Sequence, residues 1–206
     1  MGMRDLDKAL ADITAIRAQM ARGTEFQGYG PITVAATGVL ALLAAGAQAI
    51  LIPQPTAHVF SYLALWVATA AVSVILIAIE MVARSQRIHT GLADQMIHGA
   101  TEQFIPAGVA GTLLTVVLYR VDPDILWMLP GLWQIIFSLG FLASCRVLPR
   151  PMFAVGVWYL AAGLASLAFA NGAQAFSPWA MALPFGLGQL MMAAVLYRSG
   201  KNHVES

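Results

Sequence analysis

The chain has 206 residues, of which 59% are hydrophobic and 10% charged, and its formal net charge is +1. So little polar surface cannot cover a water-soluble globule of this size, which makes a lipid bilayer the expected solvent. A charge of +1 without a concentrated basic face excludes nucleic acid as a partner, and the single Cys145 excludes both an internal disulfide and a cysteine-based metal cluster within one chain.

The first element is amphipathic. Leu6, Leu10, Ile13, Ile16 and Met20 recur at helical spacing, with Lys8, Asp12 and Arg22 elsewhere on the wheel. This predicts a cytoplasmic interfacial helix over residues 1–23. The same region lacks a continuous apolar core and a small-residue cleavage site, so no cleavable leader is expected.

Residues 31–206 then read as a transmembrane domain. Six segments are apolar enough to cross about 30 Å of hydrocarbon as helices: residues 32–52, 60–82, 105–118, 125–148, 152–170 and 179–197, the third being short. Barrel-type alternation is absent, so helices are the expected way to satisfy the backbone in lipid. The pattern divides into hairpins at 31–83, 105–148 and 152–197, with a cytoplasmic amphipathic segment at 84–104 between the first two. Arg84, Arg87, Arg146, Arg150, Arg198 and Lys201 join the basic N-terminal residues on one side, whereas the opposite loops hold only Arg120, flanked by Asp122 and Asp124. The positive side is the cytoplasmic one, which puts both termini inside, in a bacterial inner membrane.

A phrase recurs. "QMARGTEF" at residues 19–26 is echoed by "QMIHGATEQF" at 95–104, each ahead of a proline, Pro31 or Pro106, and a long apolar run. "LPGLWQ" at 129–134 and "LPFGLGQ" at 183–189 follow Pro123 and Pro178 at nearly equal distances. The expected fold class is an all-α membrane protein: six transmembrane helices as three hairpins with a pseudo-repeat, plus N-terminal and inter-hairpin cytoplasmic amphipathic helices.

Chemistry-bearing residues are few. No Asp, Glu, Lys, Arg or His falls near the middle of a predicted span, which weighs against ion-coupled transport and a haem held by axial histidines. Glu80 sits four residues before Arg84, the spacing of an interfacial helical pair. Neither a G-x-S-x-G nor an H-E-x-x-H pattern occurs. The spans instead carry neutral amides: Gln48, Gln134, Gln174 and Gln189, grouped toward the outer half, with Trp133 beside Gln134. A buried amide needs a partner, so these five residues are the candidate ligand contacts, and interhelical hydrogen bonding is the competing role. Pro130 and Pro184 are expected to lie inside their helices and to free backbone carbonyls near Gln134 and Gln189. Asp94, His98 and Glu102 recur every four residues on the cytoplasmic segment, a spacing that suits a metal held by oxygen and nitrogen, although Arg22 replaces His98 in the first copy of the phrase.

These features point to a non-enzymatic module that binds or senses a small neutral or amphipathic ligand, with the bilayer as its surroundings and a cytosolic or membrane protein as partner. Three other functions fit the same residues. A transporter or channel for a neutral solute needs a continuous polar path. An accessory subunit would use small-residue stripes such as Gly38, Ala41 and Ala45 for packing. A lipid-modifying enzyme would have to draw on Glu25, Glu80, His98 and Glu102. Nothing in the sequence specifies a cofactor.

Overall fold

The computed structural model describes residues 30–87, 92–144, 151–170 and 172–204, with side chains at 30–83, 105–144, 151–170 and 172–201. Among the described residues the protein is all-helical, with no strand. The α-helices are α1 (Pro31–Leu51), α2 (Val59–Arg87), α3 (Leu92–Val121), α4 (Leu129–Ser144), α5 (Met152–Phe169) and α6 (Pro178–Val204). Short 3-10 helices at Pro123–Met128 and Gly172–Gln174 precede α4 and α6. The expected interfacial helix at 1–23 and the first copy of the repeated phrase lie outside the described residues.

Five stretches are long and apolar enough to cross a membrane: Pro31–Leu51, Val59–Ala83, Pro123–Ser144, Met152–Phe169 and Gly172–Lys201. These apolar helices are compatible with an integral membrane protein. The expected third span is the shorter apolar run Ile105–Val121. It is not a separate rod, because α3 continues unbroken from Leu92 through Gly99 and Pro106 to Val121. Gly99 costs a helix about 1 kcal/mol and Pro106 removes a single backbone donor. Neither ends this helix, so residues 92–104 of the amphipathic segment and the apolar run form one continuous element.

Chain neighbours touch around the bundle, and α1 closes it against α6. The most extensive pairings are α1 with α6 and α4 with α5, whereas α2 and α3 barely meet. Close packing therefore crosses the boundaries of the expected hairpins. Small residues explain where it occurs, since lipid gives little hydrophobic drive and helices associate by close fit. On α1 the buried stripe is Val34, Thr37, Gly38, Ala41, Ala44, Ala45 and Gln48, a helical i, i+3, i+4, i+7 series. A Cβ built on Gly38 would lie 3.2 Å from the Gly186 carbonyl oxygen of α6. Between α4 and α5 the approach is reciprocal. A Cβ on Gly131 would lie 2.9 Å from the Gly163 carbonyl oxygen, and one on Gly163 would lie 2.7 Å from that of Gly131. The Gly38, Ala41, Ala45 stripe, weighed above as a surface for another protein, is buried within this chain.

Two apolar layers fill the bundle. One lies toward the end that carries Gly30 and Glu80 and contains Val34, Met81, Phe141, Met152, Tyr159 and Met192. The other lies toward the opposite end and contains Ala44, Tyr62, Trp66, Leu129, Phe176 and Met181. Phe185 of α6 packs against both. At the first end the Glu80 carboxylate occupies the space a Gly30 side chain would need, directly at the start of α1. Negative charge there opposes the positive end of the helix dipole, so Glu80 has a second helix to serve besides its own.

Candidate functional site

The buried polar side chains sort by how completely they are paired. Gln48 on α1 is fully buried and paired at both its nitrogen and its oxygen. Its Nε2 donates to the Phe176 carbonyl at 2.7 Å, and its Oε1 accepts from the Trp66 indole at 2.8 Å. One amide thus ties α1 to α2 and to the turn before α6. That turn is set by Gly172, whose φ of +57° lies in the left-handed region that favours glycine.

Gln134 on α4 is equally buried but half used. Its Nε2 donates to the Ala180 carbonyl of α6 at 2.9 Å and lies 3.9 Å from the Met181 sulfur, while its Oε1 has no partner among the described residues. The local chemistry of α6 explains the first contact. Pro184 lies inside that helix and has no N–H, so the Ala180 carbonyl four residues earlier lacks its usual donor. Gln134 supplies one from the neighbouring helix. Pro130 behaves differently from the expectation set by its shared Leu-Pro context. It is the second residue of α4, where the N–H would have no intrahelical acceptor, and it therefore frees no carbonyl of that helix.

Gln189 is 8% exposed, and its Oε1 is also without a partner among the described residues. Its Cβ packs where a Gly38 side chain would begin, on the α1 side of α6. Nine residues separate Ala180 from Gln189 along α6, roughly 13 Å at 1.5 Å per residue. The two amides do not form one site. Gln174 is exposed in its 3-10 turn. Trp133, half-buried beside Gln134, turns the other way and donates its indole N–H to Thr115 of α3 at 2.9 Å.

Two residues outside the expected set complete the inventory. The hydroxyls of Tyr62 and Tyr159 are buried without a partner among the described residues. Tyr62 shares a layer with Met181, which Gln134 touches. Tyr159 belongs to the layer nearer Gly30, and its phenol lies over Gly188, next to Gln189 in the chain. A tyrosine well inside a span is itself a signal, because this residue prefers the headgroup level. Trp158, its neighbour, donates to the Pro184 carbonyl at 3.0 Å and fixes α5 against α6.

Among the described side chains, the middle of the bundle holds no carboxylate, amine, guanidinium or imidazole. His58 lies exposed between α1 and α2, and Arg120, Asp122 and Asp124 cluster around the start of the 3-10 helix, where Asp122 caps the Asp124 N–H at 3.0 Å. No group of His, Cys, Asp and Glu that could hold a metal is found among the described residues. The side chains of Asp94, His98 and Glu102 lie outside the described ones, although their backbone belongs to α3. Comparison with protein-family models, with curated proteins and with solved structures returned no match.

Proposed function

We propose that this chain is an integral membrane protein that binds a small neutral or amphipathic ligand in the outer half of its helix bundle and senses its presence. Gln134 carries the reading. An amide anchored through its nitrogen to Ala180 cannot swing freely, so its unpartnered oxygen is a fixed acceptor in apolar surroundings. Leaving such an atom unpaired costs about 1–3 kcal/mol. A ligand that brings one uncharged O–H or N–H group removes that penalty, and the Tyr62 hydroxyl in the same layer offers a second polar contact. A charged ligand would find no opposite charge among the described side chains of this layer.

The sensing part has a mechanical basis. Trp133 adjoins Gln134 and hydrogen-bonds Thr115 of α3, and α3 runs on without a break to Leu92. A shift of α4 on occupancy would move a rod whose far end is amphipathic in sequence, the segment that would engage a protein partner. Such a shift requires the ligand to favour one arrangement of α3 and α4 over another. The basic residues at the Gly30 end support a cytoplasmic location for both termini in a bacterial inner membrane. A reporter fused after Ser206 should be active only in the cytoplasm, and periplasmic activity would reverse the orientation.

The binding reading is tested by native mass spectrometry of the protein purified in phosphatidylcholine nanodiscs. Wild type should retain a neutral small molecule that Gln134→Met loses. Equal retention by both, or retention by neither, would reject Gln134 as a ligand contact.

A further inference from the structure

The six helices are not held equally along their length. On α1 the bundle-facing row is buried all the way from Val34 to Gln48. The corresponding row on α2 runs Tyr62, Trp66, Thr69, Ser73, Ile77 and Met81, at three- and four-residue steps. Only its ends are buried. At one end the Trp66 indole donates to Gln48 at 2.8 Å, and Tyr62 meets Phe176 edge-on. At the other end Met81 is buried, and the Glu80 carboxylate lies against Gly30 at the start of α1. From Val67 to Glu80 no residue of α2 is buried, and Thr69, Ser73 and Ile77 are only half-buried although they continue the inward row. The Thr69 and Ser73 hydroxyls donate to the Leu65 and Thr69 carbonyls of their own helix, both at 2.8 Å. Such back-bonding bends a helix and uses the donor that could have joined a neighbouring one. On its far side α2 barely meets α3, since α2 rests on α1 and α3 on α4.

We propose that the middle of α2 is a lateral gate: pinned at Trp66 and at Met81, it bows out of the bundle wall and opens its seam with α3 to the hydrocarbon of the bilayer. Local opening is drawn from elements with few buried contacts. By that measure α2 is the weakest of the long spans, with 17% of its apolar window buried against 28% or more for the other four. The unpinned stretch is roughly 20 Å long at 1.5 Å per residue, which is most of the ~30 Å hydrocarbon thickness. No charged residue occurs in 66–79 of α2 or in 105–118 of α3. Both lips of the seam therefore admit uncharged groups and oppose charged ones. The gate follows from how α2 is held and does not depend on a ligand at Gln134.

The test is double electron–electron resonance on the full-length protein in phosphatidylcholine nanodiscs, with nitroxides on cysteines introduced in a Cys145→Ser background. Three exposed positions, Phe60 and Ile75 on α2 and Leu43 on α1, are each paired with exposed Leu164 on α5. The Ile75–Leu164 distance distribution should be at least twice as wide as those of Phe60–Leu164 and Leu43–Leu164, with the added width at longer distances. Filling the inward row with Thr69→Leu and Ser73→Leu together should narrow it to the width of the pinned end. Equal widths for the Ile75 and Phe60 pairs overturn the proposal, because they make α2 rigid or mobile as a whole. A wide Ile75 distribution that the two leucines leave unchanged also overturns it, because the missing packing is then not what frees the helix. The Leu43 pair, whose width the leucines should not alter, shows that the variant is folded.

Discussion

Gln48 and Gln134 are the same residue type, are both fully buried, and both reach a backbone carbonyl near the start of α6. They differ at the oxygen. Trp66 closes the Gln48 amide, whereas nothing described closes that of Gln134. A buried amide paired at both nitrogen and oxygen rigidifies the helices it joins, and one paired only at nitrogen leaves free energy available to whatever can complete it. The first is therefore a clasp, and the second is the contact proposed for a ligand. Burial alone does not tell the two apart, but their partners do.

The largest expected effect comes from breaking the clasp. Gln48→Leu should strand both the Trp66 indole N–H and the Phe176 carbonyl, at a cost of about 2–4 kcal/mol for two orphaned groups. The measurement is reversible unfolding in mixed detergent micelles, and a loss below about 0.5 kcal/mol would show that neighbouring groups take over. Gln134→Leu should be milder, about 1 kcal/mol or less, because it strands only the Ala180 carbonyl and removes an acceptor already unpaired. Its cost should fall further in a Pro184→Ala background, where residue 184 regains an N–H for Ala180. A double-mutant cycle with no coupling between positions 134 and 184 would break the link between the proline and the amide.

Part of this comparison was legible in the sequence. Amides within apolar runs had to find partners, and Gln48, Gln134 and Gln189 are indeed buried. The partners were not legible. Gln48 reaches Phe176 across 128 positions and Trp66 across 18, separations that no helical period encodes. The shared Leu-Pro context of Pro130 and Pro184 hid a difference set by what precedes each. A 3-10 helix runs up to Leu129 and leaves Pro130 in a first turn, whereas α6 has already begun at Pro178 and takes Pro184 into its interior. Gln174 misled for a related reason, since its short 3-10 turn holds it at the surface. The spans themselves were read closely because hydropathy is a local property. Only Ile105–Val121 falls short of the length a span needs, and α3 reaches through Pro106 because one lost backbone bond does not stop a long helix.

The smallest expected effect bears most directly on what the unpaired groups are for. Tyr62 packs edge-on to Phe176 at a centroid distance of 4.9 Å, a contact that a phenylalanine preserves. Tyr62→Phe therefore removes only a buried hydroxyl without a partner. In protein with no ligand it should leave stability unchanged or raise it by up to about 1 kcal/mol. In protein that retains a neutral molecule beside Gln134 the sign should reverse, because the hydroxyl then has a contact to lose. Measuring the variant before and after exhaustive delipidation separates these cases. A destabilisation that persists after delipidation would mean that Tyr62 has an internal partner, which would place this layer with the clasp at Gln48 rather than in contrast to it.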